Sequence, residues 1–548
     1  MFARLIRRAL PFILVCCFLL QGVLSLLQKS ATYDEAVLLA SGAHFLRTCD
    51  TGPNAENPPL LKAVHALPTR FMRIRFPPMP PTLSYSYSMA EEIEWGRAFL
   101  FEKNDARRIL MPGRVMALLF VAGCGLLAFF VIRRRWGPLP ATVFLILFCF
   151  SPNLLAHARL TTPDAGAACL MFLAALLAFE TFVSGRYRVA LFAGLLTGLA
   201  LVAKFTGTLI IPIVCLQALM FGLARRGAHR ARRTVLALLV LGATALAVVH
   251  VFYPAGPRFV SLAGLHCRSP LLGRLARLPL LGGLPLPLPH GFLRGLDIVA
   301  HNNQPGFPNY FLGRFHPGGG SWWYFYVVVL ALKLPLPALV LYAAALFLFA
   351  RDSNRNLPHG GMLAIGPVVI LLNFSLLCYR QLGIRYVLPA LPFFFLGAAL
   401  IVGKCATRSR AWQRACILAL CCQILSGLAA FPHYLPYFNV FAGSRDRGTR
   451  LLFGADWGQD LPGLARWHRK SGYPPLGLDY YGTADPSYYG GFQPYYAPSN
   501  RYLAVSVSQF LIHPENAQLM HLSKQPPVAV IGHTIKVYDL RKVPPLPP

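Results

Sequence analysis

Stretches of about eighteen or more apolar residues with few or no charges recur along the chain, and each is long enough to cross a hydrocarbon layer roughly 30 Å thick as a helix. They constrain the fold more than any other feature. Only 13% of the 548 residues are charged and 55% are apolar, whereas a soluble domain carries about 25% charged residues. The expectation is a polytopic α-helical membrane protein.

Spans are expected near residues 9–27, 113–132, 138–155, 164–183, 188–203, 206–223, 234–253, 322–350, 361–379, 386–403 and 412–431. That makes about eleven transmembrane helices. The start, "MFARLIRRALPFILVCCFLLQGVLSLL", has the basic end of a signal peptide, but its apolar run is long and no small-x-small cleavage site follows, so it reads as an uncleaved first span. With "RLIRR" inside, alternation puts "RRRWG", "SGRYR", "ARRGAHRARR", "RDSNR" and "KCATRSR" on the same side, as the positive-inside bias requires. The C-terminus then lies outside.

This topology divides the chain into a transmembrane unit, 1–431, and an extracytoplasmic unit, 432–548. Two large outer loops result, 28–112 and 254–321. Segments 33–47 and 59–76 of the first read as amphipathic helices on the membrane surface. "RYLAVSVSQFL" and "PVAVIGHTIKVYDL" in the tail have strand character and "DWGQDLPGLARWHRK" helical character, which predicts a small α/β domain.

The formal charge of +32 does not indicate nucleic acid, because the arginines gather in short clusters between apolar runs instead of forming a basic stripe. The cysteines form no CxxC pairs of metal-site spacing; Cys49 and Cys267 alone fall in outer loops, where a bridge between them is an open option.

Two acids stand together where the first apolar run ends, in "ATYDEAVLLASGAHFLRTCDTGPNAENPPLLK". Thr32 and Glu35 match a capping box. Asp34 is left on the outer surface, either to meet a substrate or to favour the helix dipole. Asp164, in "AHARLTTPDAGAACL", falls on the same side after Pro163 and has the same two readings. Basic groups also lie outside: Lys62, Arg159 beside His157, Arg380 and Arg385. Lys204 and Lys333 sit in apolar stretches, where snorkelling is the ordinary alternative to a buried partner. A helix start with Lys62 and an arginine suits a phosphate whose lipid tail stays in the bilayer. Trp323 in "GSWWYFY" could stack on a sugar or belong to an interfacial belt. Trp457, Gln459 and Asp460 in "ADWGQDL" could face an acceptor or close a buried turn.

These residues lie in an ordered series: "YDEAVLLASGAHFLRTCD", "ENPPLLK", "SPNLLAHARLTTPDAG", "GLALVAKFTG", "WWYFYVVVLALKLPLP", "GIRYVLPALPFF" and "YFNVFAG...ADWGQDLPGLARWHRKSG...YYGTADPSYYGG". Through most of the chain the series resembles bacterial lipid-carrier-dependent glycosyltransferases of the protein O-mannosyltransferase type, glycosyltransferase family 39, in the GT-C superfamily. The resemblance implies inverting transfer of a sugar from a polyprenyl-phosphate donor to a protein, glycan or lipid acceptor. It places the reaction at the outer face of the bacterial inner (plasma) membrane, within a GT-C-like bundle. It implies Asp34 as general base, Glu35 as its orienting companion and Asp164 as the second catalytic acid. Lys62 and Arg385 would hold the lipid phosphate, with Lys204, Arg159 and His157 beside them. No metal, cofactor or nucleic acid is expected. The middle outer loop is without the β-trefoil insert of eukaryotic protein mannosyltransferases. A lipid-linked sugar transporter or flippase is the alternative, although it would place charges near mid-membrane and show paired halves.

Overall fold

The computed structural model describes residues 2–85, 88–223, 228–351, 357–405 and 409–545. Among these, five helices are long and apolar enough to cross a membrane: Arg8–Leu26, Ala106–Trp136, Asp164–Ser184, His229–Phe252 and Arg410–Ala429. Pro138–Cys149 with Pro152–Ala158 makes a sixth if the bent pair is one span. Shorter apolar helices, Tyr187–Leu201, Phe205–Met220, Leu336–Leu348, Gly361–Leu376 and Leu388–Lys404, occupy the other expected spans.

Helix ends follow local chemistry. The Asp105 side chain accepts from the Arg107 and Arg108 amides to start Ala106–Trp136, which ends in three arginines before Gly137 at φ +92°. Pro163 precedes Asp164–Ser184, and Gly185 closes it in the left-handed region. Arg135 reaches Glu180 at 3.7 Å, so the basic clusters following these two helices meet at one end of the bundle. Small residues bring Tyr187–Leu201 against Ala228–Phe252: a Cβ at Gly194 would stand 2.5 Å from the Leu241 carbonyl oxygen, and one at Gly198 2.8 Å from that of Ala245.

The helices depart from the expected spans chiefly at prolines. Span 138–155 bends by 64°, because Ser151 caps a new helix with Pro152 in its first turn. Span 322–350 stops at Lys333 and restarts at Leu336, since Pro335 favours extended backbone at Leu334. The outer segment 59–76 is helical only over Pro59–Ala66, with a 3-10 turn to Phe71. Residues 224–227, 352–355 and 406–408 of the expected basic clusters lie outside the described residues. Cys49 and Cys267 are both unbridged.

The C-terminal segment builds a five-stranded sheet. Leu476–Asp479 and Tyr502–Ser506 pair parallel, and Ile535–Asp539 runs antiparallel to both Tyr502–Ser506 and Ala529–Ile531. Only the first half of "RYLAVSVSQFL" is strand; Val507–Ile512 turns into a helix.

One buried pair ties the first outer loop to the helical bundle. Glu35 and Arg114 have fully buried side chains and approach to 2.5 Å. Arg114 also donates to the carbonyls of Leu26, Lys29 and Ser30. Glu35 accepts from the Thr32 amide at 2.8 Å, one half of the expected capping box, and from the Thr161 amide at 3.0 Å. The other half does not form, because the helix starts at Glu35 with Asp34 at its cap position and Thr32 Oγ1 donates to Glu35. Burial pushes the Glu35 carboxyl up, but Arg114 and these donors carry it below the usual range. Removing one partner from such a pair costs on the order of 3–5 kcal/mol, so Glu35→Gln should melt well below the parent protein in detergent. Because the folded value is depressed, this stabilisation is complete above the unfolded pKa of about 4.3 and is lost as pH falls through the lower folded value. A variant melting with the parent would show that the pair is dispensable.

Candidate active site

Four charged side chains from distant parts of the sequence meet at the ends of helices. Asp34 immediately precedes the helix Glu35–Thr48 but makes no side-chain cap; its Oδ2 instead accepts from Arg385 Nη1 at 2.9 Å. Asp164 opens the helix Asp164–Ser184. Its Oδ1 accepts from Lys204 Nζ at 2.5 Å and from Arg385 Nε at 3.4 Å, while Arg385 Nη2 lies 3.2 Å from Oδ2. Lys204 stands in extended backbone between Tyr187–Leu201 and the 3-10 turn Phe205–Leu209. Arg385 belongs to the turn Gly383–Tyr386, which Gly383 opens at φ +69°.

Arg385 is therefore shared between two carboxylates, and Lys204 supports the inner one. The carboxylates differ in access: the Asp34 side chain is 30% exposed and that of Asp164 is 0%. Asp34 can meet a solute, whereas Asp164 holds two cations in place. Aromatic rings line the cluster. The Arg385 guanidinium lies 4.7 Å from the Trp457 ring centroid, and Lys204 Nζ lies 5.4 Å from that of Tyr386. Tyr33 stacks on Tyr481 at 5.5 Å, with Phe453 edge-on to Tyr481 at 5.6 Å.

The C-terminal unit fixes the strand of chain leading to Asp34. Ser30 donates through its amide to the Gln459 carbonyl and through Oγ to that of Gly458. The Tyr33 amide donates to the Trp457 carbonyl, and Thr483 Oγ1 to the Tyr33 carbonyl. Lys29 and Asp460 form a buried ion pair at 2.5 Å.

Asp34, Asp164 and Arg385 thus meet, with Lys204 and Trp457 beside them, while Lys62, expected among them, lies elsewhere. Glu35 does not face the site: it is saturated and wholly buried, and supports Asp34 from behind. Lys62 does not join. It is buried, and its Nζ donates to the carbonyls of Pro53 at 3.2 Å and Asn54 at 2.9 Å. The preceding loop folds back over its own helix, and Glu92 pins that loop by accepting from the Asn54 amide and Nδ2. Burial pushes Lys62 down to about 8 and Glu92 up to about 7.

His157 packs edge-on to Trp457 at 5.4 Å, one shell behind Arg385. Arg159 is fully buried with no hydrogen bond from its guanidinium among the described residues, and its charged neighbours are Arg114, Glu35 and Asp460. Gln459 and Asp460 close a buried turn and do not face an acceptor: Gln459 accepts from the Trp457 amide and donates to the Ala455 carbonyl, and Asp460 takes Lys29 and Thr534. Trp323 is 67% exposed, with its ring against Tyr324. No group of three or more His, Cys, Asp or Glu suited to a metal occurs among the described residues.

Sequence reasoning missed Arg114, Lys29, Tyr33 and Tyr481. Arg114 carried a signal, since an arginine inside an apolar helix requires a buried partner. The others become visible only once the C-terminal unit is folded against the bundle.

No family model matches the chain, and no curated protein matches it. Among solved structures, it is similar to ArnT from Cupriavidus metallidurans, both apo and bound to undecaprenyl phosphate. Each comparison gives 14% identity, covering 96% of this chain and 97% of that one, with a TM-score of 0.44. It is also similar to the apo oligosaccharyltransferase from Archaeoglobus fulgidus, at 13% identity over 92% of this chain and 70% of that one, with a TM-score of 0.42.

Because Lys62 caps the Pro53 and Asn54 carbonyls, Lys62→Met is expected to lose about 1–3 kcal/mol of stability, read as a lower melting temperature in detergent. A variant melting with the parent would show that these carbonyls do not need the ammonium.

Proposed function

We propose that the chain is a GT-C-type glycosyltransferase that moves a sugar from a polyprenyl-phosphate carrier to an acceptor hydroxyl, with inversion, at the outer face of the bacterial inner membrane. The observation that carries this reading is the shared guanidinium: one accessible carboxylate, one buried carboxylate and two cations meet where apolar helices end. The ordered sequence motifs supply the same residues.

In this reading Asp34 accepts the proton of the acceptor hydroxyl, whose oxygen attacks the anomeric carbon. The bond from that carbon to the phosphate oxygen breaks, and polyprenyl phosphate leaves with the electron pair. Arg385 and Lys204 balance the charge gathering on the phosphate, held at their stations by Asp164. An arriving phosphate competes with Asp34 for Arg385, which loosens the ion pair on the carboxylate that must act as base. Tyr33 and Tyr481, both partly exposed, offer ring surface for a sugar, while Trp457, buried under Arg385, backs the site. The apolar bundle, 1–431, admits the lipid tail, and the unit 432–548 secures the catalytic segment from outside.

A positioned base contributes typically 10²- to 10⁴-fold to rate. Purified protein given polyprenyl-phosphate sugars and an acceptor should release free polyprenyl phosphate, and Asp34→Asn should lower that release by about this factor while melting like the parent. Transfer of the intact lipid-linked sugar between liposome leaflets, with no cleavage, would instead establish a flippase.

A further inference from the structure

Residues 254–289 follow the apolar helix Ala228–Phe252 and contain no acidic residue. Arg258, Arg268, Arg274 and Arg277 are all exposed, and none makes an ion pair among the described residues. The segment folds on its own small core, in which Val260, Leu262, Leu265 and Leu272 pack with Leu293. That core accounts for its inner face only. On the outer side Phe259 is 65% exposed, Leu271 64%, Leu280 89% and Leu284 53%. Two short helices, Pro270–Ala276 and Pro279–Gly283, carry Leu271 with Arg274 and Leu280 respectively, and Arg277 lies between them.

A water-facing loop has no reason to expose that many leucines in so few residues. Leucine and arginine interleaved without acids are instead what an anionic interface selects, with leucines entering the acyl boundary and arginines meeting headgroup phosphates. Position agrees with this chemistry. The loop begins at Pro254, two residues beyond the helix end, where Val251 is still 72% exposed. Its far end reaches an apolar groove of about 310 Å³ between Tyr187–Leu201, Ile210–Gln217 and Ala228–Phe252, to which Leu288 contributes. The loop therefore starts and finishes beside apolar helix surface.

We infer that residues 254–289 form an interfacial pad that docks on anionic phospholipid, separate from the Asp34–Arg385 site and independent of the reaction proposed for it. Charge selects lipid over a second copy of the chain, because two identical faces without acids would set arginine against arginine.

Hydrogen exchange of residues 270–284, followed by mass spectrometry on the full chain in nanodiscs, tests the pad. Exchange should be slower in phosphatidylglycerol discs than in phosphatidylcholine discs, by about fivefold for each arginine engaged, and added salt should shrink the difference. Arg274→Gln with Arg277→Gln should remove most of it, and Leu280→Asp should speed exchange in both lipids, while the helix Asp164–Ser184 exchanges as in the parent and so reports intact folding. Equal rates in the two lipids would overturn the inference. So would protection that appears only when two copies share a disc, which would identify the face as a contact between chains.

Discussion

Glu35 collects donors from Arg114, Thr32 and Thr161 in a region closed to water, and this fixes where its neighbour can stand. Successive helix positions point about 100° apart, so a Glu35 held inward turns Asp34 outward. Arg114 extends the constraint through the carbonyls of Leu26, Lys29 and Ser30, which fixes the entry to the helix as well as its first turn. Two adjacent carboxylates thereby divide the work, one buried and committed, the other partly exposed and available. Desolvating Glu35 is tolerable only because Arg114 and the amides satisfy it together.

The C-terminal unit adds the second half of this clamp. Its turn Asp456–Asp460 offers three successive carbonyls, Trp457, Gly458 and Gln459, to the segment Ser30–Tyr33, and Asp460 neutralises Lys29. Asp456 itself is spent inside, where its carboxylate accepts from the Gly458 and Ser508 amides and burial pushes it up to about 7. A domain that might have been an appendage for acceptors is thus built into the wall of the site, and Trp457 lies under Arg385 because the same turn places it there.

What could be read from the sequence follows from how local each cause is. Apolar runs and the strand character of "PVAVIGHTIKVYDL" depend on neighbours in the chain. Helices lie along the expected runs, bent or broken near Pro152 and Pro335, and Ala529–Ile531 pairs with Ile535–Asp539, whereas of the capping box at Thr32 only the return bond from Glu35 forms. Arg385 was legible as an outer basic group that wanted an anion, and Asp34 and Asp164 as acids on one face, each with a helix-start alternative; Lys204 could equally have snorkelled. Lys62 shows the limit. Its place in the first turn of a helix suggested an anion, but the direction of its side chain is set by the loop Pro53–Asn54 and by Glu92 some thirty residues later. The same holds for Gln459 and Asp460, whose residue types suit a sugar and whose actual partners are the Trp457 amide and Ala455 carbonyl for the one, and Lys29 and the Thr534 hydroxyl for the other.

The site's four charges share a feature that composition does not display. Asp34 precedes a helix, Asp164 begins one, Lys204 occupies a break and Arg385 lies in a 3-10 turn. Irregular backbone at membrane depth is tolerated only where it is enclosed in protein or lines a polar cavity. Where these ends meet, two carboxylates and two cations satisfy one another at the places where helices stop. The prolines at 152, 163 and 335 belong to the same logic, since each stops or starts a helix that would otherwise have run on through the apolar layer.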